Sequence, residues 1–228
     1  MPPVCLFDVN ETLLDLAALD PLFEHAFGSG RPARMQWFQQ LLQSAFLSTL
    51  LGPYTDFGAL GAAALTMLAE GRGLSVSRER SAAILQGMRS LPAHPDVPEA
   101  LGRLRRGGVR LAALTNSAPE VARAQVESAG LGEYFEQVFS ADEARRLKPA
   151  PEPYLMAARR MGVPPGQTLL VAAHAWDTTG ALRAGCRAAF VARPGQALDP
   201  LGPRPEIIGA DLGEVADRLL SQGRSPGG

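Results

Sequence analysis

The sequence predicts an α/β fold, with a parallel sheet core and a helical cap inserted after the first strand. Short apolar runs that end at polar residues have the composition of strands buried on both faces of a sheet. Segments with helical periodicity lie between and after the later runs, and several end at a glycine. Alternating strands and helices favour a parallel sheet covered by helices. The apolar runs are Val4–Phe7, 109–114 and 168–171, and the helical segments are 120–128, 151–161 and 178–184.

The region between the first two predicted strands contains no strand candidate and has the pattern of several helices. These helices are predicted at 20–27, 35–50, 57–70 and 77–89. We expect residues 16–89 to form a cap domain, and residues 1–15 and 90–228 to form the α/β core domain. Ligands of open α/β sheets bind beyond the carboxyl ends of the strands, so an insertion at this edge would cover the site. The Gly, Pro and Ser residues of 222–228 predict a mobile tail.

Composition and charge restrict the class of ligand. The chain has 228 residues, with 22 Lys and Arg against 23 Asp and Glu, for a formal net charge of -1. This balance gives no electrostatic reason to expect a nucleic acid or an anionic membrane as partner. No apolar run approaches the roughly 20 residues that cross a bilayer. Cys5 and Cys186 lack metal-type spacing, so we expect a cytoplasmic protein with a small-molecule ligand.

Polar side chains with catalytic potential follow the predicted strands. They are Asp8 after the first run, Thr115 and Asn116 after the second, and His174 and Asp177 after the third. A carboxylate attacks carbon or phosphorus only while it is ionised, and a nearby ammonium group lowers its pKa. We therefore interpret Asp8 as a nucleophile and Lys148 as its counter-ion. The alternatives are a helix-capping role for Asp8 and a solvated loop position for Lys148.

These residues belong to four segments of the chain. The segments are Phe7-Asp8-Val9-Asn10-Glu11-Thr12-Leu13-Leu14-Asp15, Leu114-Thr115-Asn116-Ser117, Leu147-Lys148-Pro149 and Ala172-Ala173-His174-Ala175-Trp176-Asp177. In this order they resemble the sequence motifs of the haloacid dehalogenase-like superfamily, and the resemblance covers nearly the whole chain. It implies a Rossmann-like core, a nucleophilic Asp8, a Thr115 that helps to hold the anionic group of the substrate, and a Lys148 that neutralises the nucleophile.

Most members of this superfamily are magnesium-dependent phosphatases, and the sequence departs from their pattern at two positions. Asn10 replaces the second Asp, which acts as a general acid, and Ala173 replaces an acidic magnesium ligand. Magnesium prefers carboxylate oxygens and phosphate, so these changes remove both a ligand and a proton donor. We therefore expect no metal and no other cofactor. A magnesium-dependent small-molecule phosphatase and a non-catalytic binding relative remain the alternatives.

The same departures resemble the L-2-haloacid dehalogenase (type II) branch, because displacing halide from carbon needs neither a metal nor an acid. Further matching strings are Tyr54-Thr55-Asp56-Phe57, Thr115-Asn116-Ser117-Ala118-Pro119, Tyr154 and Ala175-Trp176-Asp177. The resemblance implies hydrolysis of a short 2-halocarboxylate through an ester on Asp8, inversion at C2, and release of halide and a 2-hydroxy acid. It favours the (S) enantiomer. Family members are often homodimers, and the sequence leaves monomer and homodimer open.

The match to that branch is incomplete. Phe38 stands at the position of an arginine that helps to bind halide, and Ala172 and His174 stand where a Ser and an Asn place the hydrolytic water. Ester hydrolysis needs a base near neutral pH. We therefore propose His174 as the base and Glu11 as its orienting partner, in the logic of a triad. The alternatives are a buried neutral histidine and an ordinary carboxylate in the first turn of a helix.

The remaining candidates would bind substrate or position these groups. Asp177 is interpreted as holding Lys148 or the water, and Thr12 as a hydrogen-bond donor to Asp8 or a helix cap. Thr115, Asn116 and backbone amides would hold the carboxylate of the substrate. Aromatic side chains would line the pocket and exclude water from it, although Trp37 and Phe57 also fit positions in the hydrophobic core. The candidate catalytic residues are Asp8, Glu11, Lys148, His174 and Asp177, and the candidate substrate-binding residues are Val9, Asn10, Thr12, Phe38, Thr115, Asn116 and Trp176.

Overall fold

The computed structural model describes residues 4–222 and has a central parallel sheet flanked by helices. The six strands of the described chain are β1 (Val4–Phe7), β2 (Arg110–Thr115), β3 (Gln137–Ser140), β4 (Thr168–Ala172), β5 (Arg187–Val191) and β6 (Ile207–Gly209). Their order is β3-β2-β1-β4-β5-β6, and β1 therefore lies between β2 and β4. The α/β class and the parallel sheet are confirmed. The predicted mobile tail lies outside the described residues except for Gln222.

The chain between β1 and the helix at Val97 is helical, as predicted. Its α-helices are α1 (Asp20–Phe27), α2 (Gly30–Leu51), α3 (Phe57–Gly71) and α4 (Arg78–Gly87), with short 3-10 helices at Leu16–Leu19 and Met88–Ser90. The remaining α-helices of the described chain accompany the sheet and are α5 (Val97–Arg106), α6 (Pro119–Ser128), α7 (Pro151–Arg160), α8 (Ala175–Arg183) and α9 (Leu212–Gln222). The boundary of a separate cap domain at residues 16–89 stays a prediction.

Two parts of the fold differ from the prediction for identifiable reasons. Helix α2 begins at Gly30 instead of residue 35, because Pro32 lies in its first turn, where a backbone N–H has no acceptor within the helix. Strands β3, β5 and β6 were not predicted. β6 has three residues and β5 is alanine-rich, so neither has a distinctive pattern of strand-forming side chains.

Burial of the sheet on both faces explains the continuous apolar sequence of β1. Side chains of a strand alternate between faces, so Cys5 and Phe7 lie in one hydrophobic cluster and Val4 and Leu6 in the other. Trp37 belongs to the larger cluster and donates from Nε1 to Gly61 O over 2.9 Å. Trp37 and Phe57 are therefore packed among the helices between β1 and β2, in agreement with the plain core interpretation.

The two cysteines have no covalent partner. Cys5 and Cys186 are both buried and free. Burial raises the pKa of Cys5 to about 12 and that of Cys186 to about 11, so both thiols stay neutral and weakly nucleophilic. Among the described helices, none combines the length and apolar character needed to span a membrane.

Candidate active site

The carboxyl ends of the central strands bring the predicted polar residues to one edge of the sheet. Phe7 ends β1 and pairs with residues of both β2 and β4. Asp8, the next residue, therefore lies between the carboxyl ends of these two strands. Thr115 ends β2, and His174 follows β4 as the residue before α8. This is the edge at which parallel α/β sheets bind ligands. Two more members join them: Lys148 from the loop before α7 and Asp177 from the first turn of α8.

A fully buried ammonium group joins two carboxylates at this edge. Lys148 Nζ donates to Asp8 Oδ1 over 2.8 Å, to Asp177 Oδ2 over 2.6 Å and to Leu114 O over 2.9 Å. These contacts use all three protons of the ammonium. A buried charge is strongly destabilising unless it is paired and hydrogen-bonded, and here the positive charge lies between two negative ones. The predicted nucleophile and its predicted counter-ion are thus in direct contact.

The charges in this cluster set the ionisation of Asp8. Burial alone would raise the pKa of Asp8, but Lys148 and His174 outweigh burial and hold it well below its usual range. Burial and the charge of Asp8 raise the pKa of Asp177, and Lys148 opposes that rise. Burial would lower the pKa of Lys148, but the two carboxylates raise it. At neutral pH, Asp8 is a carboxylate and Lys148 an ammonium ion.

Thr12 fixes the rotamer of the candidate nucleophile. Its hydroxyl donates to Asp8 Oδ2 over 2.6 Å and accepts from the backbone N–H of Ala173 over 2.9 Å. The hydroxyl therefore ties the loop after β1 to the end of β4. Arg193 stabilises the same loop from the other side, because its Nε and Nη2 donate to Thr12 O over 3.1 and 3.0 Å.

His174 bridges Asp8 and Glu11, as the predicted pair requires. Its Nδ1 lies 3.3 Å from Asp8 Oδ2, and its Nε2 lies 3.0 Å from Glu11 Oε2. Burial alone would lower the pKa of His174, but the hydrogen bonds to Asp8 and Glu11 raise it to about 9. While Asp8 is ionised, His174 is an imidazolium at neutral pH and donates to both carboxylates.

Glu11 occupies an unusual backbone position. Its φ of 60° lies in the left-handed region, which non-glycine residues adopt at a cost of about 1 to 2 kcal/mol. Its carboxylate also accepts from Gln196 Nε2 over 3.2 Å and lies 3.7 Å from Arg34 Nη1. Non-glycine residues in strained conformations gather at functional sites. Glu11 therefore combines a strained backbone with contacts to His174, Gln196 and Arg34.

Two arginines near the site were not predicted. Arg34 is buried on α2, donates from Nε to Asp20 over 2.6 Å and faces Glu11. Arg193 lies after β5 and also donates from Nη1 to Asp96 over 2.8 Å. The sequence contained one indication that Arg34 lies near the site. Arg34 is one helical turn before Phe38, and residues four apart lie on the same face of a helix. The sequence contained none for Arg193, whose contacts arise only in the folded chain.

Aromatic side chains surround the imidazole of His174. The indole of Trp176 stacks on it with ring centroids 5.2 Å apart, and the ring of Phe38 lies 6.2 Å away. Trp176 Nε1 is buried and has no hydrogen-bond partner among the described residues. The apolar surroundings strengthen the interactions between the charged groups. The predicted wall residues Phe38 and Trp176 therefore lie beside the candidate base.

Several other predicted residues are engaged with the protein itself. The amide of Asn116 accepts from Lys148 N over 2.8 Å and donates to Lys148 O over 3.3 Å, and so braces that loop. Thr115 Oγ1 accepts from Ser117 N over 3.2 Å. Substrate binding by these side chains stays a prediction. The same holds for Val9, which is fully buried, and for Asn10, which donates to Ser117 Oγ over 3.3 Å and accepts from Gln125 over 2.9 Å.

Tyr154 lies behind the cluster, where it contacts Asp177 instead of the ligand edge. Its hydroxyl donates to Asp177 Oδ1 over 2.5 Å, and its side chain is fully buried. Both oxygens of Asp177 thus accept hydrogen bonds from buried donors, Tyr154 and Lys148. The Asp177 carboxylate therefore contacts Lys148 and Tyr154 at the same time, and its role stays a prediction.

The donor set does not fit a magnesium ion. Magnesium binds through carboxylate and phosphate oxygens in near-octahedral geometry. Here the Lys148 ammonium lies between Asp8 and Asp177, and the neighbouring Ala173 contributes no side-chain oxygen. Within residues 4–222, no group of three or more His, Cys, Asp or Glu side chains is arranged to hold a metal ion. The positive charge beside the candidate nucleophile comes from the chain itself.

Comparisons with known proteins identify a family, similar sequences and similar structures. The family model described as haloacid dehalogenase-like hydrolase matches residues 2–185. The (S)-2-haloacid dehalogenase H-109 of Pseudomonas putida is 31% identical, over 94% of this chain and 96% of that protein. The (S)-2-haloacid dehalogenase 2 of Pseudomonas sp. (strain CBS-3) is 29% identical, over 94% of each protein. Among solved structures, the L-2-haloacid dehalogenase from Xanthobacter autotrophicus with chloropropionic acid covalently bound has a TM-score of 0.91 at 26% identity, covering 99% of this chain and 100% of that chain.

Proposed function

The chain belongs to the haloacid dehalogenase-like hydrolase family, and we propose that it hydrolyses short (S)-2-haloacids to 2-hydroxy acids without a metal. One observation carries this proposal: the Lys148 ammonium lies between the carboxylates of Asp8 and Asp177, 2.8 and 2.6 Å from them, and the neighbouring Ala173 offers no side-chain oxygen for a metal ion. An ionised, poorly hydrated carboxylate is a competent nucleophile toward carbon. The (S)-2-haloacid dehalogenases to which the chain is similar support the substrate class and the enantiomer.

In the first step, a carboxylate oxygen of Asp8 forms a bond to C2 of the substrate. The C2–halogen bond breaks, its electron pair leaves with the halide, and in-line attack inverts C2. The halide is a stable anion, so this step needs no proton donor. Thr12 restrains the attacking group through its 2.6 Å hydrogen bond to Oδ2, which reduces the entropy lost on reaching the reactive geometry.

In the second step, we propose that His174 activates water. Ester formation removes the negative charge of Asp8, one of the two carboxylates that raise the pKa of His174. The pKa of His174 therefore falls in the ester. His174 releases its Nδ1 proton to water while Nε2–H still donates to Glu11, which leaves Nδ1 as the base. Its Nδ1 lies 3.3 Å from Oδ2, close enough to hold a water molecule beside the ester carbonyl. Water attacks the Asp8 carbonyl carbon and gives one proton to His174. The bond from this carbon to the product oxygen breaks, and the departing alkoxide takes the second proton.

The remaining predicted residues would hold the substrate. Trp176 Nε1 is a buried donor with no acceptor in the described chain, so it is available to the substrate carboxylate or the departing halide. Phe38 packs near the imidazole and would exclude water from the same space. Thr115 and Asn116 lie at the end of β2, where their backbone N–H groups and side chains would face a carboxylate bound at the sheet edge.

The decisive experiment measures halide release from (S)- and (R)-2-chloropropionate in the presence of a metal chelator. We expect release from the (S) enantiomer only, with the same rate with and without chelator, and formation of the (R)-2-hydroxy acid. Turnover of p-nitrophenyl phosphate only after magnesium is restored would instead identify a phosphatase. Silence in both assays, with no ester on the protein, would point to a different substrate or to a binding relative.

We further propose that the protein is a cytoplasmic homodimer formed through an apolar surface of α2. Leu50 and Leu51, at the end of this helix, are 78% and 74% exposed. Exposed apolar side chains in a group are typical of association surfaces. We expect light scattering to give twice the chain mass of 24.1 kDa. A Leu50→Glu, Leu51→Glu double variant should be monomeric, and a monomeric wild type would contradict the proposal. The free, buried cysteines are consistent with a reducing compartment.

A further inference from the structure

A buried glutamine joins the loop after β1 to the helical region between β1 and β2. Gln125 lies on α6, and its side chain is fully buried. Its Nε2 donates to Met88 O over 2.8 Å and to Asn10 Oδ1 over 2.9 Å. Met88 begins the 3-10 helix Met88–Ser90, and Asn10 lies two residues after Asp8. Both protons of the Gln125 amide are therefore used, one toward each part of the chain.

The carbonyl of Met88 fixes which way two side-chain amides face. A backbone carbonyl oxygen only accepts hydrogen bonds, so the atom of Gln125 beside it must be the amide nitrogen. The same nitrogen donates to Asn10, so the atom of Asn10 that faces Gln125 must be the oxygen. The amide nitrogen of Asn10 then lies on the other arm of its side chain. The orientation of Asn10 is thus determined by residues outside its own loop.

This orientation leaves one N–H group of Asn10 available to a ligand. Asn10 Nδ2 carries two protons, and its acceptor among residues 4–222 is Ser117 Oγ, 3.3 Å away. Ser117 Oγ also accepts from Thr115 Oγ1 over 3.3 Å, at the carboxyl end of β2. Asn10 is only 5% exposed, so bulk water is largely excluded from the second proton. A buried donor therefore lies beside the predicted site for the anionic group of the substrate.

The same arrangement leaves the oxygen of Gln125 unpaired. Gln125 Oε1 is buried and has no hydrogen-bond partner in the described part of the chain. Unpaired buried acceptors are rare in folded proteins, because they lose hydration without gaining a hydrogen bond. Turning the amide by 180° would place this oxygen against Met88 O, which is also an acceptor. The unpaired oxygen is therefore a consequence of using both Gln125 protons as donors.

We propose that Gln125 is a positioning residue that holds Asn10 as a hydrogen-bond donor to the substrate carboxylate, an inference that rests on the proposed function. Without Gln125, the Asn10 amide could turn by 180° and present its oxygen to the substrate. In a poorly hydrated site, that oxygen would repel a carboxylate. An N–H group donates a charge-assisted hydrogen bond to a carboxylate instead, and such bonds are stronger than neutral ones. Gln125 therefore favours binding of an acid through Asn10.

The test separates substrate binding from the chemical steps. Gln125→Met keeps the length of the side chain but donates no hydrogen bond. We expect KM for (S)-2-chloropropionate to rise about tenfold, and the dissociation constant of unreactive propionate, measured by calorimetry, to rise by the same factor. kcat should stay within about threefold of wild type, because Asp8 keeps its contacts with Lys148 and Thr12.

Thr168→Val is the matched control for the loss of a buried polar group. Thr168 is fully buried and begins β4, at the opposite end of this strand from the candidate active site. Its hydroxyl donates to Pro164 O over 3.5 Å, so the variant removes a hydrogen bond remote from Asn10. KM and the propionate dissociation constant should equal those of wild type.

A measurement on the wild type keeps the inference testable if Gln125→Met does not fold. Saturating propionate should move one of the two Asn10 Nδ2 protons downfield in a nitrogen–proton NMR correlation spectrum, and the loss of these signals in Asn10→Ala assigns them. Unchanged signals, or a wild-type KM and propionate affinity in Gln125→Met, would overturn the role of Gln125. Propionate affinity that depends on Gln125, in a protein that releases no halide, would overturn the proposed function and support the role of Gln125.

Discussion

The Asp8→Asn variant is expected to release no halide from (S)-2-chloropropionate, with kcat/KM at least about 10³-fold below that of wild type. An amide oxygen is a poor nucleophile, and no other carboxylate can replace it. Asp177 lies in the same cluster, but both of its oxygens accept hydrogen bonds from Lys148 and Tyr154. Halide release measured under single-turnover conditions, together with the absence of an ester by mass spectrometry, checks this expectation.

The same variant tests the protonation argument. The amide that Asp8→Asn introduces is neutral, as is the ester, so the variant removes one of the two carboxylates that raise the pKa of His174 to about 9. We expect the pKa of His174 to fall toward its ordinary value of about 6.5 in Asp8→Asn, as measured by NMR titration of the imidazole. Lys148 keeps its 2.6 Å contact with Asp177, so the variant should fold. A pKa that stays near 9 would contradict the proposed conversion of His174 into a base.

The sign of the pH dependence of stability follows from the same shift. In the folded wild type the pKa of His174 is raised, so the imidazolium stabilises the native state. This contribution is fully present below about pH 6.5, the ordinary histidine pKa, and is lost as the pH rises through about 9. The pKa of Asp8 is lowered, so its contribution is present above the ordinary carboxyl pKa and is lost as the pH falls. Both contributions are fully present only above the ordinary carboxyl pKa and below about pH 6.5. The cluster therefore stabilises the folded state most in that pH window.

How much of the site is predictable from sequence depends on how each residue reaches it. Asp8 and His174 directly follow buried strands, and parallel strands end at a common edge, so their proximity was predictable. Lys148 was predictable only from the combined motifs, because its loop has no strand signal of its own. The pairing of Glu11 with His174 followed from chemistry, but the left-handed backbone at Glu11 did not.

The features that sequence reasoning missed depend on contacts between distant segments. Arg193 and Thr12 are far apart in the chain and come together because only β4 separates β1 from β5 in the sheet. The sequence also did not reveal the contacts of the Asn116 amide with the backbone of Lys148, and the role of Asn116 toward substrate stays a prediction. A polar residue type indicates which hydrogen bonds a side chain can make. The choice between a ligand and a neighbouring loop is made by tertiary structure.

Halide displacement needs less positive charge at this site than phosphoryl transfer does. A carboxylate nucleophile in a buried site needs a compensating positive charge to remain ionised. Lys148 supplies that charge through a group fixed by three acceptors. A departing halide is a stable anion, so the site needs no metal ion to stabilise the negative charge of the leaving group. In phosphoryl transfer the negative charge is spread over several oxygens. The single charge of Lys148, held by Asp8 and Asp177, would stabilise that distributed charge less well.

Replacement of His174 by alanine is expected to separate the two chemical steps. Halide should be released in a burst of about one equivalent per active site, because attack by Asp8 does not need a base. Hydrolysis should then slow by about 10²- to 10⁴-fold, the usual contribution of general base catalysis. The ester would accumulate on Asp8, where mass spectrometry of the intact protein and of its peptides can locate it. His174→Gln, which fills more of the space but is no base, should behave in the same way.

The pH profile distinguishes lost base catalysis from a distorted site. In the wild type, single-turnover ester hydrolysis should accelerate as the pH rises through the pKa of His174 in the ester, because only the neutral imidazole accepts a proton. In His174→Ala this rise should disappear, while the halide burst keeps its size. His25→Ala is the matched control, since His25 is an exposed histidine of α1, and it should retain the wild-type profile. Steady wild-type turnover in His174→Ala, with no ester detected, would show that another group activates the water, and the pairing of His174 with Glu11 would then be structural.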